Sequence, residues 1–397
     1  MATSRRSFQQ PLTQMAEEDK TEAVQRFQEA ADTGTFDKMA VAKRAMDQIN
    51  KKFAAKKGSP YAIYTANQLP SVERIQSGWI AFDCITGGGF PRRRATQVKG
   101  PNHVGKTTVI LDALALQQSI GEVGIWVQGE EYDQEWARQR GVDNNRVVIV
   151  PTSDATTMLE TTVELMAQGF ASLVALDSVQ AIKPKRALDT PIGETGYGSG
   201  APQLWGDFQG KVLTLYSTGA TDAAFVWVSQ MRAVIATGWA PKGAPTDDGT
   251  LINTLLHWKS VDVRFKPGPF LKASKEDKEP YGRIIGLKNE KNKVGPTPYM
   301  AGEIHHIYYQ DEDQPIPVGT DRGFEIAAWA DYFGLMDKRG TRFYLPSDDR
   351  YGEWAGKQVA MGQEAFLTWC RSDNPDFQAA RDTLVERIYE EAMRVPG

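Results

Sequence analysis

Cysteine is nearly missing from this chain: Cys84 and Cys370 are the two in 397 residues. They lie far apart and form no Cys-x-x-Cys pair, which argues against a disulfide framework and a cysteine zinc site. Histidine is almost as scarce. His103, His257, His305 and His306 are too scattered for a metal cage, and the adjacent pair, if on a strand, turns its rings to opposite faces. No apolar run approaches the roughly 20 residues a membrane helix needs. The first ten residues hold no apolar stretch of the secretory kind, so the expectation is a cytoplasmic protein without membrane contact. Neither sign of charge dominates. With a net charge of −4, composition gives no hint of nucleic-acid binding, and any such partner must be read from local sites.

What is present is the balance of a globular chain, 41% hydrophobic and 24% charged, which excludes a disordered one. Residues 1–36 are polar and only weakly apolar in pattern. From Phe36 to Phe53, Met39, Ala42, Met46, Ile49 and Phe53 recur at spacings of three and four, an amphipathic helix flanked by Lys43, Arg44, Lys51 and Lys52. Such a helix packs either on its own domain or on a partner. After Pro70, β-rich runs at 95–99, 123–128, 147–150, 173–177 and 224–229 alternate with helical patterns at 107–118, 156–167 and 203–216. That alternation predicts βαβ units and a mainly parallel sheet. Runs at 261–265, 283–288 and 303–309 follow without helices between them, as an antiparallel extension. Helices are expected near 326–333, 363–370 and 377–393. The fold class is therefore α/β, in four parts: an extension 1–36, a helix and strand 37–70, a core 71–322 and a small α+β C-terminal domain 323–397.

The strongest chemical signal is Gly100-Pro-Asn-His-Val-Gly-Lys-Thr-Thr108, a G-x-x-x-x-G-K-[ST] loop between a predicted strand and a predicted helix. Gly100 and Gly105 let backbone N–H groups of the loop, through Asn102, His103 and Val104 to Thr108, wrap a triphosphate at a helix N-terminus. Lys106 reaches the β- and γ-phosphates, and the Thr107 hydroxyl is suited to Mg²⁺. The apolar run 173–177 ends on Asp177, placed to complete the magnesium shell. The run 123–128 ends in Gly129-Glu130-Glu131. A carboxylate there can orient or deprotonate the attacking water. Both glutamates compete for that role; Glu130, nearer the strand end, is favoured.

Together these residues resemble the RecA family of ATP-driven DNA recombinases, from about Lys38 to the C-terminus and most densely between Ile75 and Gly295. Ile75-Gln-Ser-Gly-Trp-Ile-Ala-Phe-Asp83 and Gly87-Gly-Gly-Phe-Pro91 look like the family's lead-in to its phosphate loop. Glu130 falls at the family's catalytic glutamate if one residue is missing from the following turn, and Leu176-Asp177-Ser178-Val179 matches the second nucleotide motif. Ser229-Gln230-Met231-Arg232 resembles Asn-Gln-Ile-Arg, whose glutamine senses the γ-phosphate. Lys291-Asn292-Lys293 resembles a Lys-Asn-Lys whose lysines reach the ATP of the neighbouring subunit.

The resemblance implies a RecA-type P-loop ATPase core with an N-terminal oligomerisation arm (37–70). ATP and Mg²⁺ would lie between subunits of a homo-oligomeric helical filament, formed on single-stranded DNA and pairing it with duplex DNA, in the cytoplasm of a bacterium or an infected bacterial cell. It further implies that Asp133 bonds the adenine amino group, that Trp136 stacks on the base and that Tyr308 covers its other side. Two loops would hold DNA: 189–200, with Tyr197 and Gly198, and 231–249, with Arg232, Ile235, Trp239 and Lys242. Departures are visible. His103 and Val104 replace smaller residues, and Asp262 and Leu256 stand where the family often places basic side chains against a neighbour. A RecA-fold hexameric helicase or motor, and an ATP-gated scaffold that coats DNA without strand exchange, are the competing readings.

Overall fold

A strand covered on both faces tends to read as a near-continuous apolar run, and Leu-Val-Ala-Leu over 173–176 does. That run is the centre of β6 (Ala171–Asp177), buried at every position. The structure, a computed structural model, describes residues 38–54, 63, 65–68, 71–185, 189, 201–231, 253–272, 279–295, 300–309 and 316–394. The chain divides into two compact units, Met1–Pro70 and Ser71–Gly397. The first contains α1 (Lys38–Ala54), where the Asn50 side chain exchanges hydrogen bonds with the Ile63 backbone, 2.8 Å to its carbonyl and 2.7 Å from its N–H.

The second unit is built on a sheet whose strand order, among the described residues, is β11-β10-β9-β8-β3-β7-β6-β4-β5. Ahead of it a short antiparallel pair joins β1 (Arg74–Ile75) to β2 (Phe90–Pro91), and the strands of the large sheet are β3 (Ala95–Gly100), β4 (Val123–Gln128), β5 (Val147–Val150), β6, β7 (Ala224–Gln230), β8 (Val261–Leu271), β9 (Gly282–Asn292), β10 (Ala301–Ile307) and β11 (Gly319–Thr320). From β8 through β5 neighbours are parallel; β9, β10 and β11 add antiparallel. Alternate residues of β7 enter separate cores. Val226 and Val228 face the cluster of α3 (Lys106–Ser119), while Phe225 and Trp227 face α5 (Ala155–Ala167) and α6 (Ala201–Thr218). Trp258, ending α7 (Asn253–Trp258), stacks on Phe225 at 5.1 Å and on Trp227 at 5.5 Å. That pins α7 to the strand ending in Gln230.

After residue 320 come α8 (Arg322–Tyr332), an antiparallel sheet β12-β13-β14 (Asp337–Arg339, Arg342–Tyr344, Gln358–Met361), α9 (Gln363–Arg371) and α10 (Pro375–Met393). Leu384 and Ile388 of α10 share one apolar cluster with Ile80 and Phe82 of α2 (Ile80–Thr86). Two buried carboxyls sit in this seam. Asp83 accepts from the Ser77 N–H and the Tyr389 hydroxyl, each at 2.9 Å, and Glu325 accepts from the Ala81 N–H at 2.9 Å. Burial pushes Asp83 up to about 7 and Glu325 up to about 8. Both folded values exceed the unfolded ones, so the pair's contribution to stability is full below the ordinary carboxylate range and falls as pH rises through the folded values. Glu325→Gln is therefore expected to flatten the decline of melting temperature between about pH 5 and about pH 8; a slope identical to wild type contradicts this.

Candidate nucleotide site

The C-terminal ends of parallel strands form the crevice where open α/β sheets bind ligands. Here β3 ends at Gly100 beside Gln230, and β4 ends at Gln128 beside Asp177. The loop that leaves β3 enters α3 through Gly105, whose φ is +80° and where a Cβ would lie 2.9 Å from the Trp79 ring. Glycine is thus required both for the left-handed backbone and for the space. Lys106, buried at the head of α3, donates to the Pro101 carbonyl. Burial lowers its pKa, opposed by Asp177 and then Glu130, so a phosphate arriving beside it regains stability for the cation.

The Thr107 hydroxyl donates to Asp177 Oδ2 at 2.7 Å. Burial pushes Asp177 up to about 6, with the Thr107 hydrogen bond opposing and Glu130 reinforcing the rise. One hydroxyl and one carboxylate suit Mg²⁺, which keeps most of its waters and completes its octahedron with substrate phosphates. Among the described residues no cluster of three or more His, Cys, Asp or Glu forms a self-sufficient metal cage.

Gly129 permits the next contact. A Cβ there would come within 2.5 Å of the Ser178 carbonyl, so only glycine lets the β4 turn press against the end of β6. The Glu130 N–H donates to the Asp177 carbonyl at 2.7 Å, and its carboxylate accepts from the Ser178 hydroxyl and from Gln230 Nε2 at 2.6 Å. Gln180 brackets the Gln230 backbone, donating to its carbonyl and accepting from its N–H, each at 3.3 Å. Glu130 and Glu131 are both exposed.

A cavity of about 370 Å³ opens over the phosphate loop, lined by residues 103–108 and by Trp136, His306 and Tyr308. Gly100, at the strand end, precedes it, and Asn102 is exposed at the loop crest. Asp133 serves as N-cap of α4 (Gln134–Gln139), its Oδ1 accepting from the Glu135 and Trp136 N–H groups at 3.0 and 2.9 Å. Tyr197, Gly198, Arg232, Ile235, Trp239 and Lys242 lie outside the described residues.

Lys291 and Lys293 stand elsewhere. Because β9 runs antiparallel to β8, Lys291 pairs with Asp262, and the Lys293 N–H donates to the Ser260 carbonyl. Ser260 itself bonds Ala95, at the start of β3. Five residues of strand separate that level from Gly100, roughly 16 Å at 3.3 Å per residue, which is farther than a lysine side chain extends. Their ammonium groups donate to the last carbonyls of α7, Lys291 to Leu256 at 2.9 Å and Lys293 to His257 at 3.3 Å.

The profile of the RecA N-terminal domain matches residues 40–312. The chain belongs to the RecA family. Its fold is that of the family's α/β core, and its general activity is that of a RecA-like recombinase ATPase. Protein RecA of Thermotoga maritima is 28% identical over 356 residues, covering 89% of this chain and 92% of the relative. Protein RecA of Corynebacterium jeikeium is 30% identical over 347 residues, covering 86% and 84%. A crystal structure of the RadB recombinase aligns with 58% of this chain and 95% of its own, at 18% identity and a TM-score of 0.41, and adds nothing to the assignment.

Within the RecA family, one departure has a structural explanation. Asp262 is an interior residue, 3% exposed, paired with Lys99 at 3.0 Å and with Lys259. Lys99 also pairs with Glu290 at 2.8 Å, and Lys259 donates to Gln97 at 2.6 Å. A carboxylate between two buried cations is compensated in place, so Asp262 serves the protomer's own core. Sequence reasoning named Ser178 within the second nucleotide motif without giving it a role, and missed Gln180 and His306 as neighbours of the site. Gln180 lies three residues past Asp177; His306 needed the sheet register.

Proposed function

We propose that the chain is a DNA-dependent ATPase that forms a helical filament on single-stranded DNA, with ATP at the subunit boundary, and carries out homologous pairing and strand exchange. The N-terminal segment 37–70 is its oligomerisation arm and 71–322 its ATPase core, followed by the C-terminal domain 323–397. The observation that carries the reading is the hydrogen bond from Gln230 to Glu130, 2.6 Å long. It ties the carboxylate suited to hydrolysis to the strand end that leads into 231–249, the segment proposed to hold DNA. A P-loop enzyme acting on a free small molecule has no need of that tie.

In the proposed cycle the loop amides and Lys106 hold the β- and γ-phosphates. Magnesium, when held by Thr107 and Asp177, supplies Lewis-acid neutralisation of the phosphate charge. Glu130 orients a water and takes its proton as the new oxygen–phosphorus bond forms and the β–γ bridge breaks. Trp136 and Tyr308 flank the base, and Asp133 has one oxygen beyond those its cap uses. Lys291 and Lys293 act on the neighbour's γ-phosphate, a role supported by their distance from their own loop, and the charge they stabilise is the charge that shifts in transfer.

Two measurements test this. Lys106→Ala is expected to weaken ATP binding roughly ten- to a hundredfold, the range of a hydrogen bond to a charged group, with turnover lost; near-normal hydrolysis contradicts the phosphate assignment. ATPase rate with and without single-stranded DNA, read across salt, is expected to show stimulation that falls steeply as salt rises, since phosphate contacts release counterions. Absent or salt-insensitive stimulation contradicts the DNA role.

A further inference from the structure

The lining of the cavity over the phosphate loop combines two chemistries. The loop residues, Lys106 and Thr107 among them, supply polar groups, and Trp136, His306 and Tyr308 supply rings. Tyr308 is 42% exposed, whereas His306 is only 8% exposed. The His306 ring lies edge-on to Tyr308 at 5.7 Å and tilted against Trp79 at 6.3 Å. Its Nδ1 has no hydrogen-bond partner among the described residues. Packing alone does not call for an imidazole here, because an apolar side chain would fill the space between two aromatic rings without leaving a polar atom unpaired.

The position on the strand selects this histidine over its neighbour. His305 turns to the other face of β10 and stacks on Phe324 at 3.6 Å. Burial and then the Arg140 guanidinium push the His306 imidazole down to about 4, while Asp112, paired with Arg140 at 2.6 Å, opposes. The ring is neutral at physiological pH. A neutral imidazole offers one N–H and one lone pair, and a half-turn about its Cβ–Cγ bond exchanges the two ring edges within the same plane.

We propose that His306 reads the base of the bound nucleotide, hydrogen-bonding a purine edge and so setting which nucleoside triphosphate the site accepts. The proposal rests on the nucleotide reading of the cavity and adds to it a specificity residue. A buried polar group that is satisfied by one ligand and left unpaired by another discriminates strongly between them.

The test is calorimetric titration of the full chain with ATP and, separately, with inorganic tripolyphosphate, which has no base. His306→Phe is expected to bind ATP about five- to tenfold more weakly, the scale of one hydrogen bond, with tripolyphosphate affinity unchanged. His306→Gln, which keeps a donor and an acceptor, is expected to recover most of the ATP affinity. Unchanged ATP affinity in His306→Phe overturns the proposal, and so does an equal loss for both ligands, which would mark His306 as a support of the loop. A wild-type chain that binds neither ligand removes the nucleotide reading and this proposal with it.

Discussion

Replacing Lys291 and Lys293 together with alanine is expected to lower DNA-stimulated ATP hydrolysis by about 10³-fold, at the lower end of what a cation supplied in trans contributes to phosphoryl transfer. The magnitude follows from what the lysines would meet. A γ-phosphate leaving its bridge oxygen shifts negative charge outward, and two fixed cations in a water-poor interface stabilise that charge more than bulk solvent can. Within one protomer, among the described residues, their ammonium groups donate to the Leu256 and His257 carbonyls. Burial and the nearness of Lys293 and Lys259 already lower the Lys291 pKa. Removing them should leave circular dichroism and melting temperature near wild type. ATP binding to the isolated protomer should also persist, because Lys106 and the loop amides are untouched. A variant that hydrolyses ATP at the wild-type rate on DNA contradicts the shared site.

Glu130→Gln is expected to bind ATP normally and hydrolyse it about 10²- to 10⁴-fold more slowly, the range for loss of a positioned general base. Glutamine retains an acceptor for the Ser178 hydroxyl and for Gln230 Nε2, so the local geometry should survive. What it loses is the capacity to take a proton. Glu131→Gln provides the comparison. Its carboxylate shares the exposure of Glu130 but has no part in the contacts with Ser178 and Gln230. If Glu131→Gln is the slow variant instead, the choice between the two carboxylates is reversed.

The phosphate half of the site was legible in the sequence because its physics is local. Gly105 is fixed by a left-handed backbone and a ring 2.9 Å away, and Lys106 and Thr107 follow it at the head of a helix. The parallel strands were legible too, since burial on both faces leaves a near-continuous apolar run such as 173–176. Short elements were not. Ile-Ala-Phe-Asp-Cys-Ile-Thr forms α2, buried at every position, so it has no polar face to give it a period. Strand β8 continues past the expected end at 265 to Leu271 through Pro267 and Pro269. Pairing with β3 stops at Arg264, so Pro267 lies where the strand has only β9 as partner and no β3 carbonyl waits for its missing N–H. The aromatic side of the cavity depends on tertiary register. That His305 and His306 face opposite ways follows from strand geometry; which of them lines the cavity over the phosphate loop follows from β10 pairing with β9 and β11.

The most direct test of the shared site mixes two inactive chains on single-stranded DNA. Lys106→Ala lacks a working phosphate loop but keeps its lysines; the Lys291→Ala, Lys293→Ala chain lacks the lysines but keeps its loop. In an equal mixture about one interface in four joins an intact loop to intact lysines, as a head-to-tail assembly requires. The account predicts that the mixture hydrolyses ATP at about a quarter of the wild-type rate. A mixture no more active than the sum of its two components contradicts it.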